Sequence, residues 1–324
     1  MRYLITGGSG FIGSHLSDAI TARGDEVVVL DDLSTGRMAN VEHLLGTPSF
    51  EFVEGSILDP ELVRKLVGGV DVVVHLAASV GVQLIVRHPL HSLINNIRGT
   101  EVVLEACADE GRKVLIASTS EIYGKNAFGP LREDSDRVLG SPLKSRWSYS
   151  TSKAVDEIFA HAYWRERGTP SIVVRLFNTV GPRQTGAYGM VVPRLVGQAL
   201  RGEPLTVFGS GEQSRCFCYV QDTVDALVRL LDAQGAIGDV FNIGSPEEIS
   251  INALAQMIVD MTGSGSRVEH IPYDVAYEEG FEDMERRVPD ITKISALTGW
   301  EPTRPLSEIL TNVIEFERAG ARRR

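Results

Sequence analysis

Residues 3–13 read YLITGGSGFIG, an apolar strand pattern that breaks into glycines at Gly7, Gly10 and Gly13 and continues as an amphipathic segment. A dinucleotide pyrophosphate requires this order of strand, tight turn and helix N-terminus, because glycines let the backbone approach the phosphates. The start of the helix adds free N–H groups and the positive end of a dipole. The stretch therefore predicts a dinucleotide-binding turn.

A second apolar run, EVVVLDD at residues 26–32, ends in Asp31 and Asp32, about eighteen residues after Gly13. A carboxylate at that distance accepts hydrogen bonds from ribose hydroxyls and repels a 2′-phosphate. The two segments together predict that the chain binds NAD.

The composition argues against several classes of protein. Lys and Arg total 32 and Asp and Glu total 43, so the net charge is −11, which disfavours nucleic acid and anionic membranes as partners. The sequence has no uninterrupted apolar run long enough to span a membrane, and its three cysteines lack disulfide or zinc spacing. We expect a cytoplasmic protein that binds neither nucleic acid nor membrane, and we predict no metal site.

Strand patterns alternate with helical patterns through the first half of the chain. Strands are predicted near 2–6, 26–31, 50–53, 71–76, 113–117 and 171–176, and helices near 11–23, 60–67, 92–109 and 149–167. This alternation predicts an α/β fold, a doubly wound parallel sheet of the Rossmann type.

The amino-acid composition changes near Asn178, after which Gly, Pro and Arg become more frequent. We therefore predict an NAD-binding domain over 1–177, to which 217–245 return, and a smaller, interleaved substrate-binding lobe over 178–324. Ligands of such sheets bind at the carboxyl ends of the strands.

The pair Tyr149 and Lys153 stands at i and i+4 in a predicted helix, so both side chains project from one face. A phenol with a pKa near 10 must lose about two to three units to act as a base at neutral pH. An ammonium group one turn away has the sign needed to lower the pKa of the phenol. Ser118, Thr119 and Glu121 follow a predicted strand at its carboxyl end, on the ligand side of the sheet.

Several segments together carry a family resemblance. They are TGGSGFIGSH (6–15), HLAA (75–78), STSEIYG (118–124), YSTSK (149–153) and RLFNTVGPR (175–183). With them the chain resembles the extended short-chain dehydrogenase/reductase family of nucleotide-sugar enzymes. The resemblance implies an enzyme that keeps NAD bound, oxidises a sugar at C4 and does chemistry on the 4-keto intermediate. The expected cofactor-binding residues are Gly7, Gly10, Phe11, Ile12, Gly13, Asp31, Asp32, Ser56, Ile57, Leu76, Ala77, Ala78, Ser118, Tyr149 and Lys153.

The branch of the family depends on a few residues. Glu121 after Thr119 and Ser120 is typical of the dehydratases and of the UDP-glucuronate decarboxylases. The segments 202–222 and 286–302 resemble the decarboxylases, in which an arginine at the position of Arg287 reaches into the sugar site. The leading hypothesis is therefore a UDP-glucuronate decarboxylase that gives UDP-xylose or its 4-keto precursor.

The resemblance also implies a role for each candidate. Tyr149 is the base, and Lys153 tunes it and binds the nicotinamide ribose. Thr119 orients the sugar, Glu121 with Arg287 acts at C5, and Ser120 is a further catalytic candidate. The expected substrate-binding residues are Asn178, Arg183, Val192, Arg194, Arg215 and Arg87. The predicted helices at 92–109 and 149–167 mix apolar and small residues, which favours a homodimer through a four-helix bundle.

Two segments depart from the decarboxylase pattern. SVGVQLIVRHP (79–89) and YSTSK (149–153) are more similar to the epimerases. They leave open a 4-epimerase of UDP-glucuronate or UDP-glucose, and then a 4,6-dehydratase of the GDP-mannose type. A non-enzymatic NAD-sensing regulator is the remaining alternative, against which the intact Tyr/Ser/Lys set argues.

Overall fold

The computed structural model describes residues 1–81, 85, 88–126, 128–186, 190–276, 284 and 286–321. The described strands are β1 (Arg2–Thr6), β2 (Glu26–Asp31), β3 (Phe50–Glu54), β4 (Val72–His75), β5 (Lys113–Thr119), β6 (Ser171–Leu176), β7 (Thr179–Val180), β8 (Leu205–Phe208), β9 (Ser214–Cys216), β10 (Cys218–Tyr219), β11 (Val240–Ile243), β12 (Glu248–Ser250) and β13 (Val268–Ile271). The described α-helices are α1 (Phe11–Ala22), α2 (Pro60–Gly68), α3 (Pro89–Glu110), α4 (Ser148–Arg167), α5 (Val191–Leu200), α6 (Val220–Asp232), α7 (Ile251–Thr262), α8 (Tyr273–Ala276), α9 (Thr292–Thr298) and α10 (Leu306–Ala321).

Seven strands form one parallel sheet in the order β11-β6-β5-β4-β1-β2-β3. Alternate residues of β1 enter different cores, because successive side chains of a strand point to opposite faces. Tyr3 and Ile5 pack in the core beneath α1 and α6, whereas Leu4 packs in the core beneath α2, α3 and α4. Helices therefore cover both faces, which confirms the predicted α/β class and explains the nearly uniform apolar character of the strands.

The chain changes direction across the sheet between β1 and β4. It runs outward through β2 and β3 and then returns to place β4 on the other side of β1. Ligands of doubly wound sheets bind outside the carboxyl ends of the strands at such a switch point. The glycine turn after β1 lies there.

A third core forms farther along the chain, from α5, α7 and α10 together with β8. Between its elements, the chain returns to the sheet through α6 and β11, and β11 pairs with β6. The division into 1–177 and 178–324 stays a prediction. None of the helices in the described ranges combines the length and the apolar character that a membrane crossing needs.

The predicted strands and helices of the first half agree with the structure within a few residues. α3 begins at Pro89, earlier than expected, because proline is favoured in the first turn of a helix. β5 continues to Thr119, two residues beyond its predicted end. This extension carries Ser118 and Thr119 to the edge of the sheet where the switch point lies.

Candidate active site

A cavity of about 480 Å³ opens between the carboxyl ends of the sheet and the third core. The predicted site residues that line it are Gly7, Gly10, Phe11, Ile12, Gly13, Asp31, Asp32, Ile57, Leu76, Ala77, Ala78, Ser118, Thr119, Ser120, Glu121, Tyr149, Lys153, Asn178, Val192, Arg194, Arg215 and Arg287. Ser56 and Arg183 lie outside this lining. Arg87 is outside the described residues.

The glycine turn is dictated by close backbone contacts. Gly7 has a φ of +72°, and a Cβ at this position would lie 2.8 Å from the amide nitrogen of Ala77. A Cβ at Gly13 would lie 2.3 Å from the carbonyl oxygen of Gly7. Gly10 occupies the N-cap of α1, where no described side chain forms a capping hydrogen bond, so the first N–H groups of the helix remain available to an anion. This cradle fits a dinucleotide pyrophosphate.

Asp31 joins the turn to the loop after β2. Its two carboxylate oxygens accept hydrogen bonds from the amides of Ser9 and Leu33, each at 2.9 Å. Burial raises the pKa of Asp31 above its ordinary value. Asp32 is more exposed and accepts hydrogen bonds from the amide and the hydroxyl of Ser34.

The end of β4 carries a buried histidine. His75 lies between the hydroxyls of Thr6 and Thr100, with Nδ1 and Nε2 at 2.8 and 3.1 Å from their oxygens. Burial lowers the pKa of His75 to about 3, with a smaller contribution from Lys153, so the ring is neutral at physiological pH. Beyond it, the chain passes along the cavity at residues 76–78.

Tyr149 and Lys153 both face the cavity from α4, but the lysine is not dedicated to the phenol. The ammonium group of Lys153 donates to the carboxylate of Asp156 at 2.7 Å, and both side chains are buried. Burial and the carboxylates of Glu121 and Asp156 raise the pKa of Tyr149, against a smaller lowering by its hydrogen bond with Thr119. The described residues therefore do not supply the expected lowering of this pKa, because burial and the two carboxylates raise it.

Glu121 is the centre of a buried charge cluster. The guanidinium group of Arg146 donates to both of its carboxylate oxygens, at 2.5 and 3.2 Å. Arg287 lies 3.8 Å from the same carboxylate and donates to the Ser120 hydroxyl at 3.3 Å and to the Asn178 side-chain oxygen at 3.4 Å. Four predicted residues from three segments of the chain, Ser120, Glu121, Asn178 and Arg287, thus meet in one place, together with Arg146.

The neighbouring hydroxyls have different partners. The Thr119 hydroxyl oxygen accepts from the amide of Glu121 at 3.1 Å and caps the short helix Ser120–Tyr123. The Ser118 hydroxyl instead donates to Glu157 at 2.5 Å, and Glu157 in turn pairs with Arg175. Thr119 therefore lies in the cavity wall, where it forms a hydrogen bond with Tyr149. The side chain of Ser118 instead connects β5 to α4 through Glu157.

Two arginines outside the seven-stranded sheet line the cavity wall, Arg194 on α5 and Arg215 on β9. Arg194, on α5, donates to the carbonyl and hydroxyl oxygens of Thr206 and stacks 4.4 Å above the ring of Phe208. Arg215 is buried on β9 and donates to the carbonyl oxygen of Ser214 at 2.7 Å. Arg183, by contrast, forms an ion pair of 2.8 Å with Asp18 on α1.

Two site residues were missed in the sequence. Arg146 stands three residues before Tyr149, in the short turn Ser145–Trp147, and Asp156 stands three residues after Lys153. The i, i+3 spacing of Lys153 and Asp156 was a usable signal, because such residues are neighbours on a helix. The pairing of Arg146 with Glu121 had no local signal.

Comparison with known proteins shows the family of the chain. The model of the "NAD dependent epimerase/dehydratase family" matches residues 3–244. A UDP-N-acetyl-alpha-D-glucosaminuronate decarboxylase of Bacillus cytotoxicus is 39% identical over 318 residues, which cover 98% of each chain. UDP-glucuronic acid decarboxylase 1 of Xenopus tropicalis is 39% identical over 317 residues, which cover 98% of this chain and 72% of the relative.

Among solved structures, a UDP-glucuronic acid 4-epimerase of Bacillus cereus in complex with UDP-glucuronic acid and NAD superposes with a TM-score of 0.89. It is 31% identical, and the match covers 98% of this chain and 99% of that one. These findings confirm the family resemblance that the motifs indicated. The chain belongs to the NAD dependent epimerase/dehydratase family.

Proposed function

We propose that this protein is an NAD-dependent UDP-glucuronate decarboxylase that forms UDP-xylose or UDP-4-keto-xylose. The observation that carries the proposal is the Arg146–Glu121–Arg287 cluster beside Tyr149, because it offers cationic groups to a sugar that itself bears a carboxylate. The two decarboxylases described above support it.

The glycine cradle and Asp31 would hold the cofactor, as the close approaches at Gly7 and Gly13 leave room for phosphate and for no Cβ. Lys153 would reach the nicotinamide ribose. NAD, when bound, supplies an acceptor for the hydrogen at C4 and a positive charge beside the phenol.

The side chains of the sugar half perform the remaining steps. Tyr149 takes the proton of the C4 hydroxyl while Thr119 donates a hydrogen bond to the same oxygen. The C4 hydrogen would leave as a hydride to bound NAD, so that the sugar becomes a 4-ketone. The C5 carboxylate is then β to a ketone. When the bond from C5 to the carboxyl carbon breaks, CO₂ leaves and its bonding electrons form an enolate on the C4 oxygen, which Thr119 and Tyr149 stabilise. A proton delivered to C5 gives UDP-4-keto-xylose. UDP-xylose would form if the hydride returned to C4 and Tyr149 returned its proton to the C4 oxygen.

The direct test is to incubate the NAD-loaded protein with UDP-glucuronate and to measure CO₂ release together with product mass. We expect CO₂ and a nucleotide sugar that is lighter than UDP-glucuronate by CO₂ if it is UDP-xylose, or by CO₂ and two hydrogens if it is UDP-4-keto-xylose. A product of unchanged mass with inverted configuration at C4 would instead identify a 4-epimerase, and a 4-keto-6-deoxy sugar formed from a neutral hexose would identify a dehydratase.

A second substrate is favoured by one specific finding. The Bacillus cytotoxicus relative is named for UDP-N-acetyl-glucosaminuronate, which carries the same carboxylate and a different group at C2. Both substrates would use the same chemistry at C4 and C5. Comparing kcat/KM for the two UDP-uronates decides between them.

The predicted homodimer remains part of the proposal. α3 and α4 lie side by side, and both carry apolar side chains that are exposed in the single chain, Ile94 at 46% and Ile158 at 64%. A four-helix bundle between two copies would bury them. The cytoplasm remains our prediction for the compartment.

A further inference from the structure

We propose that His15 is a positioning residue for the nucleotide sugar, although it belongs to the glycine motif and lies on α1, the helix of the cofactor cradle. Its side chain holds the turn at residues 181–184 in one of two backbone conformations, and this turn leads into the cavity wall. The ligand is taken to be a nucleotide sugar, and only in this respect does the inference rest on the proposed function.

The turn at 181–184 has a backbone conformation that its sequence disfavours. The amide of Gln184 donates to the carbonyl oxygen of Gly181 at 3.4 Å, which closes a four-residue β-turn. Pro182, at the second position, has its φ fixed at about −65°, whereas Arg183, at the third position, has a φ of +69°. A positive φ at the third position after a proline is that of a type II turn, which usually has glycine there. An arginine favours the type I turn, in which this φ is negative.

His15 makes the contact that selects the type II turn. The two turn types differ in the orientation of the peptide group between the second and third residues, so the carbonyl of Pro182 points to opposite sides in them. Nε2 of His15 lies 2.9 Å from this carbonyl oxygen, which can only accept, so Nε2 carries the proton and donates it. Because rotation into the type I orientation would break this hydrogen bond, His15 stabilises the conformation that Arg183 disfavours.

Two further contacts hold the buried ring of His15 in place. Its Nδ1 lies 3.2 Å from the side-chain amide nitrogen of Gln221, which donates, so a single neutral tautomer satisfies both ring nitrogens. Burial lowers the pKa of His15, which favours the same neutral ring. The ring also packs edge-on against Phe11, with the ring centroids 5.9 Å apart. The orientation of the donor is therefore fixed by the protein itself.

The turn connects α1 to the wall of the cavity. Gln184 and Thr185 line the cavity, and the side chain of Gln184 donates to the carbonyl oxygen of Thr179, another lining residue, at 3.0 Å. His15 and Arg183 both lie outside this lining. His15 therefore acts on the ligand through the backbone of the turn. A flip of the turn would displace the wall that begins at Gln184 and would leave the glycine cradle in place.

A crystal structure of His15→Leu tests the conformation of the turn directly. Leucine is close to histidine in size but has no donor for the carbonyl of Pro182. We expect the φ of Arg183 to become negative, with the Pro182 carbonyl turned away from α1. His15→Gln should keep a positive φ at Arg183, since its amide nitrogen can replace Nε2 as the donor. If His15→Leu does not fold, His15→Asn, whose amide is one methylene shorter than that of glutamine, takes its place.

Binding is measured by calorimetric titration of UDP-glucuronate and UDP-glucose into the NAD-loaded proteins. His15→Leu should bind both about tenfold more weakly, as expected if about a tenth of the molecules keep the type II turn, while the NAD dissociation constant changes by less than about twofold. Glycine adopts a positive φ without steric cost, so His15→Leu/Arg183→Gly should recover most of the lost affinity, with Arg183→Gly alone as its reference. His161→Leu, at an exposed histidine of α4 outside the cavity lining, is the matched control.

A positive φ at Arg183 in His15→Leu, or a double variant that binds no better than His15→Leu, would overturn the inference. An equal loss of NAD and nucleotide-sugar affinity would also overturn it, because that result is expected if His15 only stabilises α1. Its failure is distinguishable from that of the proposed function. If wild type released no CO₂ from UDP-glucuronate but the turn and the binding changed as expected, the reaction would be rejected and the role of His15 supported.

Discussion

The two halves of the cavity are built in different ways. The cofactor half is built around close backbone contacts between the turn at 7–13 and the stretch at 76–78, which require that Gly7 and Gly13 carry no Cβ. The sugar half is made of charged and polar side chains that reach one another across the fold, such as Ser120 and Arg287, which are 167 residues apart. A substitution that adds a Cβ to a glycine should therefore weaken binding in the cofactor half. In the sugar half, a substitution that removes a polar atom from a side chain should weaken function.

The largest effect is expected in the sugar half, from Tyr149→Phe. Removing the phenolic oxygen removes the proposed base, so kcat for CO₂ release should fall by about 10³-fold, while the NAD dissociation constant changes by less than about twofold. Tyr163→Phe is the control, because Tyr163 lies on the same helix and contacts Arg167 instead of the cavity. Turnover above about a tenth of wild type would exclude Tyr149 as the base.

In the cofactor half, one added methyl group should be costly. Gly13→Ala places a Cβ 2.3 Å from the carbonyl oxygen of Gly7, so the free energy of unfolding should fall by about 3 kcal/mol and NAD should bind more weakly. Urea unfolding and NAD titration measure both. Gly265→Ala, at a glycine with open space around it, should change neither. Unchanged NAD affinity in Gly13→Ala would mean that the turn does not hold the cofactor.

His75, at the end of β4 beside the cofactor half, should also make the free energy of unfolding depend on pH. His75 stays neutral in the folded protein, because burial lowers its pKa to about 3, whereas the unfolded chain takes up a proton below its ordinary value of about 6.5. Its contribution to stability is therefore complete above about pH 6.5 and is lost as the pH falls from there towards 3. Between about pH 7.5 and pH 5 the loss should be about 2 kcal/mol.

Urea unfolding of wild type and His75→Asn at those two pH values measures this contribution. The variant should be less stable at the higher pH and should show a flatter pH dependence. His161→Asn, at an exposed histidine of α4, should keep the wild-type dependence. The interpretation fails if His75→Asn loses as much stability on acidification as wild type does.

The smallest effect is expected outside both halves. Arg183→Gln removes a partly exposed ion pair with Asp18, which is worth about 0–1 kcal/mol, and should leave the dissociation constant of UDP-glucuronate within about twofold of wild type. Arg194→Gln, in the cavity wall, is the comparison that should weaken binding more. Tenfold weaker binding in Arg183→Gln would support the substrate-binding role that the sequence predicts for Arg183.

Sequence and structure agree most closely where the determinants are local. The strands, the helices and the glycine turn follow from hydrophobic periodicity and backbone sterics, both of which act within a few residues. The motif at 118–121 and the Tyr149/Lys153 pair also line the cavity. The raised pKa of Tyr149 was not predicted, since it depends on burial and on the carboxylates of Glu121 and Asp156.

By itself, the sequence determined the parallel sheet, the position of the glycine turn and the set of chemical groups, because periodicity and the absence of a Cβ leave a direct mark on neighbouring residues. Only the tertiary structure decided that Arg146 and Arg287 both meet Glu121, and that Arg183 turns away to Asp18. The reason is that an ion pair between distant segments depends on how the elements pack, and the linear order of residues carries no local trace of that packing.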